Sequence, residues 1–415
     1  MPSLQQSGRL WRDIVAAIVV VTILILATLA WVLLGSTADQ LPLGAPGQGT
    51  GISTSAPGPH TIRQPTRANS ASGIKNVVLL LADGLDWAAF NQVPRLAALK
   101  AQGTTLSDFV VTDSLCCPSR TSLLRSQFVH NHQVLSNVAK TGGGWATFYA
   151  RNLQQDCLPT WLHNAGIRTS LIGKYINGYP KTAPTTTYIP PGWDYFMSST
   201  SGVQAYQGYN YTLNVNGQSR DFGAQPTDFM NDVLTNEAVQ QLASSDAPFF
   251  LELATYNPHT PAPVATRNQA THQSDSVPRT PAFNTAGTNE VRWLAGHPVN
   301  MPAQVDHFDA LWRRRLASAE SVAGSYDALV AQLHATGRDQ DTLTIVTSDN
   351  GYHAGVRLLS TGKNTAFHED SVVPAVFIGP GIDQGRAYPS MGRWPRSHAP
   401  AHESRSHPLA HGHTD

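Results

Sequence analysis

An excess of charge of either sign is missing from this chain: Lys and Arg together number 28, and so do Asp and Glu. Nothing global draws it to nucleic acid or to an anionic surface, and no nucleic-acid partner is expected. Cysteine is scarce, at 3 in 415 residues. That excludes a dense disulfide framework, and an odd count leaves one thiol over after any single pairing. If Cys116 has chemistry of its own, Cys117 and Cys157 are free to pair; three unpaired thiols are the alternative. No internal repeat is present, which excludes a solenoid. Bulky apolar residues are sparse from 36 to 72, where Gly, Pro, Ser, Thr and Gln dominate, so this stretch reads as a flexible tether. Apolar periodicity also fades after Ile382. From Arg386 to Asp415 the chain is rich in Arg, Pro and Ser, carries five His, and cannot build a core.

What is present begins with a long apolar run. After Arg9 and Arg12, Ile14 to Leu34 carries no charge over about twenty residues, enough to cross a bilayer. Basic residues before it favour a cytoplasmic N-terminus. Residues 1–35 read as a signal anchor, with cleavage near Ser36-Thr37-Ala38 as the rival. Either way the globular part is extracytoplasmic, membrane-anchored by one helix or secreted. The core starts at Asn76 to Ala82 (NVVLLLA), a buried-strand pattern ending in Asp83-Gly84. Pro248 to Ala254 is a second strand candidate, ending before Asn257-Pro258-His259. Thr344 to Ser348 is a third, ending in Asp349-Asn350-Gly351. Helical patterns at Leu158 to Ala165 and Leu316 to His334 alternate with them, which predicts an α/β sandwich with a mostly parallel sheet. In such sheets the polar residues just past the strand C-termini share one crevice, here Asp83, His259, Asp349 and Asn350. Residues 260–300 read as a long surface loop beside it.

Cys116-Cys117-Pro118-Ser119-Arg120 precedes an apolar, helix-compatible stretch. Pro fits a helix's first turn, which would place Cys116 at a helix N-terminus, where backbone N–H groups favour an anion. Arg120 adds a planar cation suited to an oxyanion. Two buried cysteines beside a capping Ser is the plainer reading of the pentapeptide alone.

Together these segments resemble the sulfatase family of the alkaline-phosphatase-like superfamily. The resemblance runs from about Lys75 to Ile382. It rests on Asn76–Asp86, Cys116–Asn137, Gly173–Tyr179 (GKYINGY), Pro190–Asp194 (PPGWD), Asn257–Pro261 (NPHTP), Ser348–His353 (SDNGYH) and Gly362–Thr365 (GKNT). The CCPSR form, His130-Asn131-His132 and GKYINGY are most similar to the N-acetylglucosamine-6-sulfatase and heparan-type branch. The resemblance implies an alkaline-phosphatase-like sandwich over residues 73–382 and hydrolysis of sulfate monoesters on a sulfated sugar such as N-acetylglucosamine 6-sulfate. It implies that a formylglycine-generating enzyme converts Cys116 to formylglycine, with Pro118, Ser119 and Arg120 as its recognition signal. The aldehyde would hydrate to a diol: one hydroxyl attacks sulfur, and the other then expels sulfate, a covalent route in two easier steps. Arg120 would hold the diol. Asp83, residue 116, Asp349 and Asn350 would bind one divalent cation, Ca2+, a hard ion suited to oxygen ligands. Lys174, His259 and Lys363 would grip sulfate oxygens or protonate the leaving alcohol. His130, Asn131, His132 and His353 are substrate-side candidates.

The chain departs from the family pattern at several points. Gly84 stands where a second metal-binding Asp is usual, with Asp86 nearby. Arg125-Ser126 replaces a common Thr-Gly, and Ile176 stands where many relatives carry His. The family's C-terminal subdomain is expected to be missing, through truncation or a shifted reading frame, with residues 383–415 an atypical disordered tail. Two alternatives follow: a catalytically impaired relative that binds sulfated glycans, or a phosphodiester or phosphonate hydrolase of the same superfamily.

Overall fold

The computed structural model describes residues 73–389 apart from 245 and 289. The expected anchor at 1–35 and tether at 36–72 lie outside the described residues, as does the chain from 390 onward. Among the described residues no helix is long and apolar enough to cross a membrane.

Ten strands form one sheet: β1 (Asn76–Ala82), β2 (Thr104–Leu106), β3 (Arg168–Gly173), β4 (Tyr195–Ser199), β5 (Tyr211–Val215), β6 (Gln218–Phe222), β7 (Phe249–Ala254), β8 (Thr342–Ser348), β9 (Ala375–Ile378) and β10 (Arg386–Tyr388). Their order is β10-β2-β9-β8-β1-β7-β3-β4-β5-β6. The middle of the sheet, β8-β1-β7-β3-β4, is parallel throughout. Antiparallel pairings join β9 to β8 and β5 to β4 on either side of it. β1 reads as a continuous apolar run because both of its faces are covered. Val78 and Leu80 pack with Leu316, Val322 and Leu329 on one side, and Leu79 and Leu81 pack with Leu123, Leu124 and Trp145 on the other. Each such fully buried Leu contributes about 1.5–3 kcal/mol.

The helices that matter for the site are α1 (Trp87–Gln92), α2 (Cys116–Arg125), α3 (Leu158–Asn164), α4 (Met230–Ala243) and α5 (Pro302–Ala335). α4 and α5 cover one face of the sheet, α2 and α3 the other. The helix expected from Leu316 starts earlier, with Pro302 in its first turn, and runs for 34 residues. Phe308 and Trp312 extend its buried stripe at a spacing of four toward Leu316, while the opposite face of this first half is polar and exposed. The loop between β7 and α5 holds one short 3-10 turn, Thr266–Asn268, and is anchored by buried Asn268, Val277 and Leu294.

Two further expectations are corrected. Cys117 and Cys157 do not pair, and all three thiols are free and buried. Cys117 Sγ faces Asn177 Oδ1 at 3.4 Å, whereas Cys157 Sγ faces the Gln154 carbonyl at 3.4 Å. Each thiol is thus turned to its own local partner. Within the stretch from residue 383 that was expected to be unstructured, Arg386–Tyr388 form β10, which adds to the sheet edge in parallel with β2.

Candidate active site

The parallel strands deliver their C-terminal ends to one place. Asp83 follows β1, Lys174 follows β3, Asp349 and Asn350 follow β8, and His259 stands five residues beyond β7. The turn after β8 can lie directly on the short helix His368–Ser371 because residue 351 is Gly: a Cβ there would sit 2.0 Å from the Glu369 carbonyl oxygen. α2 aims its N-terminus at the same point, with Leu115 in extended conformation before it. Asn137 Oδ1 accepts the Cys117 N–H at 2.8 Å, satisfying one of the orphan donors of that first turn. At its other end, Ser126 has φ +52, a left-handed conformation that glycine takes more readily.

The side chains form one buried charged cluster. Lys363 Nζ donates to Cys116 Sγ at 2.9 Å and to Asn350 Oδ1 at 3.1 Å, and stands 3.5 Å from Asp83 Oδ1. Lys174 Nζ donates to Asp83 Oδ2 at 2.6 Å. Arg120 Nε donates to Asp349 Oδ2 at 2.8 Å, and its Nη1 donates to the Lys174 carbonyl at 2.9 Å. The Gly84 N–H fills Asp349 Oδ1 at 3.0 Å. The Cys116 thiol lies 3.6 Å from Asp83 Oδ1 and is fully buried. The cluster meets solvent through Lys363 and His259, which are partly exposed.

Charge complementarity sets the protonation states. Burial opposes ionisation of Asp83, but the cations Lys174, Lys363 and Arg120 outweigh it and hold its carboxyl well below the usual range. Burial likewise opposes the charge on Lys174, yet Asp83 and the Cys116 sulfur raise its pKa well above normal. His259 behaves differently. Burial lowers it to about 4, with Lys363 and Lys174 pushing the same way and Asp83 opposing. Its Nδ1 lies 2.6 Å from the Thr260 carbonyl, an acceptor, so the proton of the neutral ring sits on Nδ1 and the lone pair on Nε2.

Of the predicted site residues, Asp83, Cys116, Arg120, Lys174, His259, Asp349, Asn350 and Lys363 come together. His353 is buried nearby, its Nδ1 held 2.9 Å from both oxygens of Asp370. It lines a cavity of about 210 Å³ with Trp87, Trp312, Tyr352 and His368. His130 and Asn131 are exposed on the short helix Val129–His132. His132 does not reach the cluster as a free ligand. It is buried, Ser122 Oγ lies 3.0 Å from its Nε2, and the Val134 N–H donates to its Nδ1 at 3.1 Å. Asp86 does not replace the carboxylate missing at Gly84. It caps α1 through the Ala89 N–H, and its other oxygen takes Arg315 Nη2 at 2.8 Å. Tyr206, which no sequence signal marks, completes the cluster. Its hydroxyl donates to Asp83 Oδ2 at 3.1 Å, and its ring stacks on His259 with centroids 4.3 Å apart.

The donors suit a single cation. Cys116 Sγ, Asn350 Oδ1 and Asp83 Oδ1 converge on the Lys363 ammonium, which stands in for such an ion. Asp83, Cys116 and His259 also offer one ligand atom each within 4.8 Å of one another. Asp349 stands behind this set, with both oxygens engaged by Gly84 and Arg120.

A parallel-sheet α/β protein with a buried thiol, paired carboxylates and three cations at its strand ends is a hydrolase-type scaffold for an anionic ester. The family is then settled by comparison: residues 75–407 match the Sulfatase family model, and the chain belongs to the sulfatase family. Human N-acetylglucosamine-6-sulfatase is 34% identical over 318 residues, covering 74% of this chain and 56% of its own. The Drosophila melanogaster extracellular sulfatase SULF-1 homolog is 31% identical over 325 residues, covering 75% of this chain and 28% of its own. The chain therefore spans about half or less of the length of these relatives. Among solved structures, a protein in complex with its substrate D-glucosamine-2-N,6-O-disulfate aligns with TM-score 0.60 at 17% identity, over 77% of this chain and 74% of that one. The phosphonate monoester hydrolase of Agrobacterium radiobacter aligns with TM-score 0.52 at 19% identity, over 75% and 70%. These two likenesses show the fold alone.

Proposed function

We propose that this chain hydrolyses sulfate monoesters on a sulfated sugar, of the N-acetylglucosamine 6-sulfate or heparan type. The observation that carries this is Cys116 in the first turn of α2, with Lys363 on its sulfur and Asp83, Arg120 and Lys174 around it. The names of the relatives support the sugar class. Cys116 Sγ marks the place of the formylglycine oxygens, and a formylglycine-generating enzyme is the maturation partner. The hydrated formylglycine supplies the oxygen that attacks sulfur. Asp83 Oδ1, which already faces the thiol, stays ionised and orients that hydroxyl by accepting its hydrogen bond. Lys363 and Lys174 draw the sulfate oxygens in, and Arg120 keeps Asp349 and the Lys174 backbone in place. A sulfate beside His259 favours its protonated form, the proton coming from solvent, and Nε2 gives that proton to the alcohol as its oxygen–sulfur bond breaks. The proton of the attacking hydroxyl passes to solvent, and the second hydroxyl of residue 116 then expels sulfate. Asp83, Asn350 and residue 116, with Asp349 behind them, would hold Ca2+, which would add positive charge against the sulfate. His353, with His130 and Asn131, is assigned to the sugar side. The catalytic domain lies outside the cytoplasm, tethered by the apolar segment at 14–34.

The test begins with peptide mass analysis across residue 116 in chain co-produced with a formylglycine-generating enzyme. Sulfate release from N-acetylglucosamine 6-sulfate is then measured with and without Ca2+, beside matched aryl sulfate and aryl phosphodiester substrates. The proposal expects the aldehyde mass and a preference for sulfate. An unmodified thiol together with no sulfate release refutes it, and a preference for the phosphodiester moves the chain to the phosphonate-hydrolase reading.

A further inference from the structure

The positive charge at the heart of the cluster belongs to the chain itself. Lys363 Nζ occupies the point where Cys116 Sγ, Asn350 Oδ1 and Asp83 Oδ1 converge, at 2.9, 3.1 and 3.5 Å. The Asn350 amide nitrogen donates to the Gly351 carbonyl at 2.9 Å, which turns its oxygen inward to the ammonium. No other carboxylate oxygen of the cluster is free. Asp83 Oδ2 takes Lys174 and Tyr206, and Asp349 takes the Gly84 N–H and Arg120. Two carboxylates thus touch three fixed cations, Lys174, Lys363 and Arg120, and the one further buried carboxyl near Arg120, Glu252, is raised by burial to about 7. A divalent ion entering here meets a surplus of positive charge and needs the atoms that Lys363 holds.

Gly84 sets this balance. A Cβ built on it would stand 3.5 Å from Asn350 Nδ2 and 4.0 Å from Lys363 Nζ, ordinary contact distances, so a side chain at 84 would point at the ammonium without a clash. Its φ of +72 lies in the left-handed region, where any side chain is strained, Asp and Asn less than most. The chain has an open place aimed at the cation position and leaves it without a carboxylate.

We propose that Lys363 is the resident cation of this centre and competes with a divalent ion for Asp83, Asn350 and residue 116, so that the chain binds Ca2+ weakly. The proposal rests on reading those three residues as the cation-binding set. It predicts that removing the ammonium, or supplying the missing carboxylate, strengthens Ca2+ binding.

The experiment is calorimetric titration of CaCl2 into chelator-treated full chain, as wild type, Lys363→Met and Gly84→Asp. Each variant is expected to bind Ca2+ about tenfold or more tightly than wild type, because affinity follows the charge balance of the ligand set. A rise in melting temperature with Ca2+ should report the same ranking. The two variants change different sides of the balance, so one that fails to fold leaves the other to decide. Affinity in Lys363→Met equal to or weaker than wild type overturns the competition, as does unchanged affinity in Gly84→Asp. Tight binding by Lys363→Met that survives a further Asp83→Asn change overturns the ligand set itself, a failure distinct from the first.

Discussion

Replacing Glu252 by Gln should stabilise the protein above neutral pH and change little below pH 4.5. Glu252 lies on the central strand β7, in register with Leu79 of β1 and Leu171 of β3, and is 3% exposed. Its Oε2 is buried without a hydrogen-bond partner. Burial pushes the carboxyl up from 4.5 to about 7, with Arg120 alone opposing. The folded pKa lies above the unfolded one, so this group's contribution is fully present below about pH 4.5 and is lost as pH rises through about 7. At about 1.4 kcal/mol per pH unit, the loss by pH 8 is about 3 kcal/mol. Gln keeps the shape and cannot ionise. Urea unfolding of both proteins at pH 4.5, 6 and 8 should therefore show a difference that grows from near zero to about that size. A variant that is less stable than wild type at pH 8 would refute the reasoning, because an ionised Glu252 would then be stabilising the fold through Arg120.

Arg120→Met leaves Asp349 buried without its guanidinium and should cost about 3–5 kcal/mol in chemical unfolding; a loss under 1 kcal/mol would mean that Asp349 finds another partner. Asn137→Ala removes the acceptor of the Cys117 N–H and should cost about 1 kcal/mol, near the value of a helix cap; no change in the unfolding midpoint would show the contact to be idle. His132 is lowered to about 4, chiefly by burial with Arg125 adding to it. Its stability contribution is therefore present above about 6.5 and is lost as pH falls toward 4. An NMR titration should find the His132 ring neutral at pH 5.5, and a midpoint near 6.5 would contradict its buried placement.

The strand ends were legible because each apolar run stops at a polar residue, and a parallel sheet brings such stops to one edge. This is how Asp83, Asp349, Asn350 and His259 could be placed together. Cys116 was legible from the local chemistry of CCPSR. Tyr206 was not, because its partner Asp83 is 123 residues away and nothing beside it in the chain carries a signal. His132 shows the converse: in sequence it matches a substrate-side histidine, yet Ser122 and Val134 occupy its ring nitrogens. The first half of α5 was hidden by its polar outer face, and the Cys117–Cys157 pairing failed because parity says nothing of where a sulfur points.

The contacts that hold Cys116 in place have a consequence for synthesis. Its thiol is sealed by Lys363, 247 residues later in the chain, and β1 acquires its neighbour β8 over a similar separation. At translation rates of about 5–20 residues per second, that stretch takes on the order of 10–50 s to emerge. During this interval Cys116 is already made, while Lys363 and β8 do not yet exist. The same chain order that later buries residue 116 completely leaves a timed opening in which another enzyme can reach it, and the arrival of β8 and Lys363 ends it.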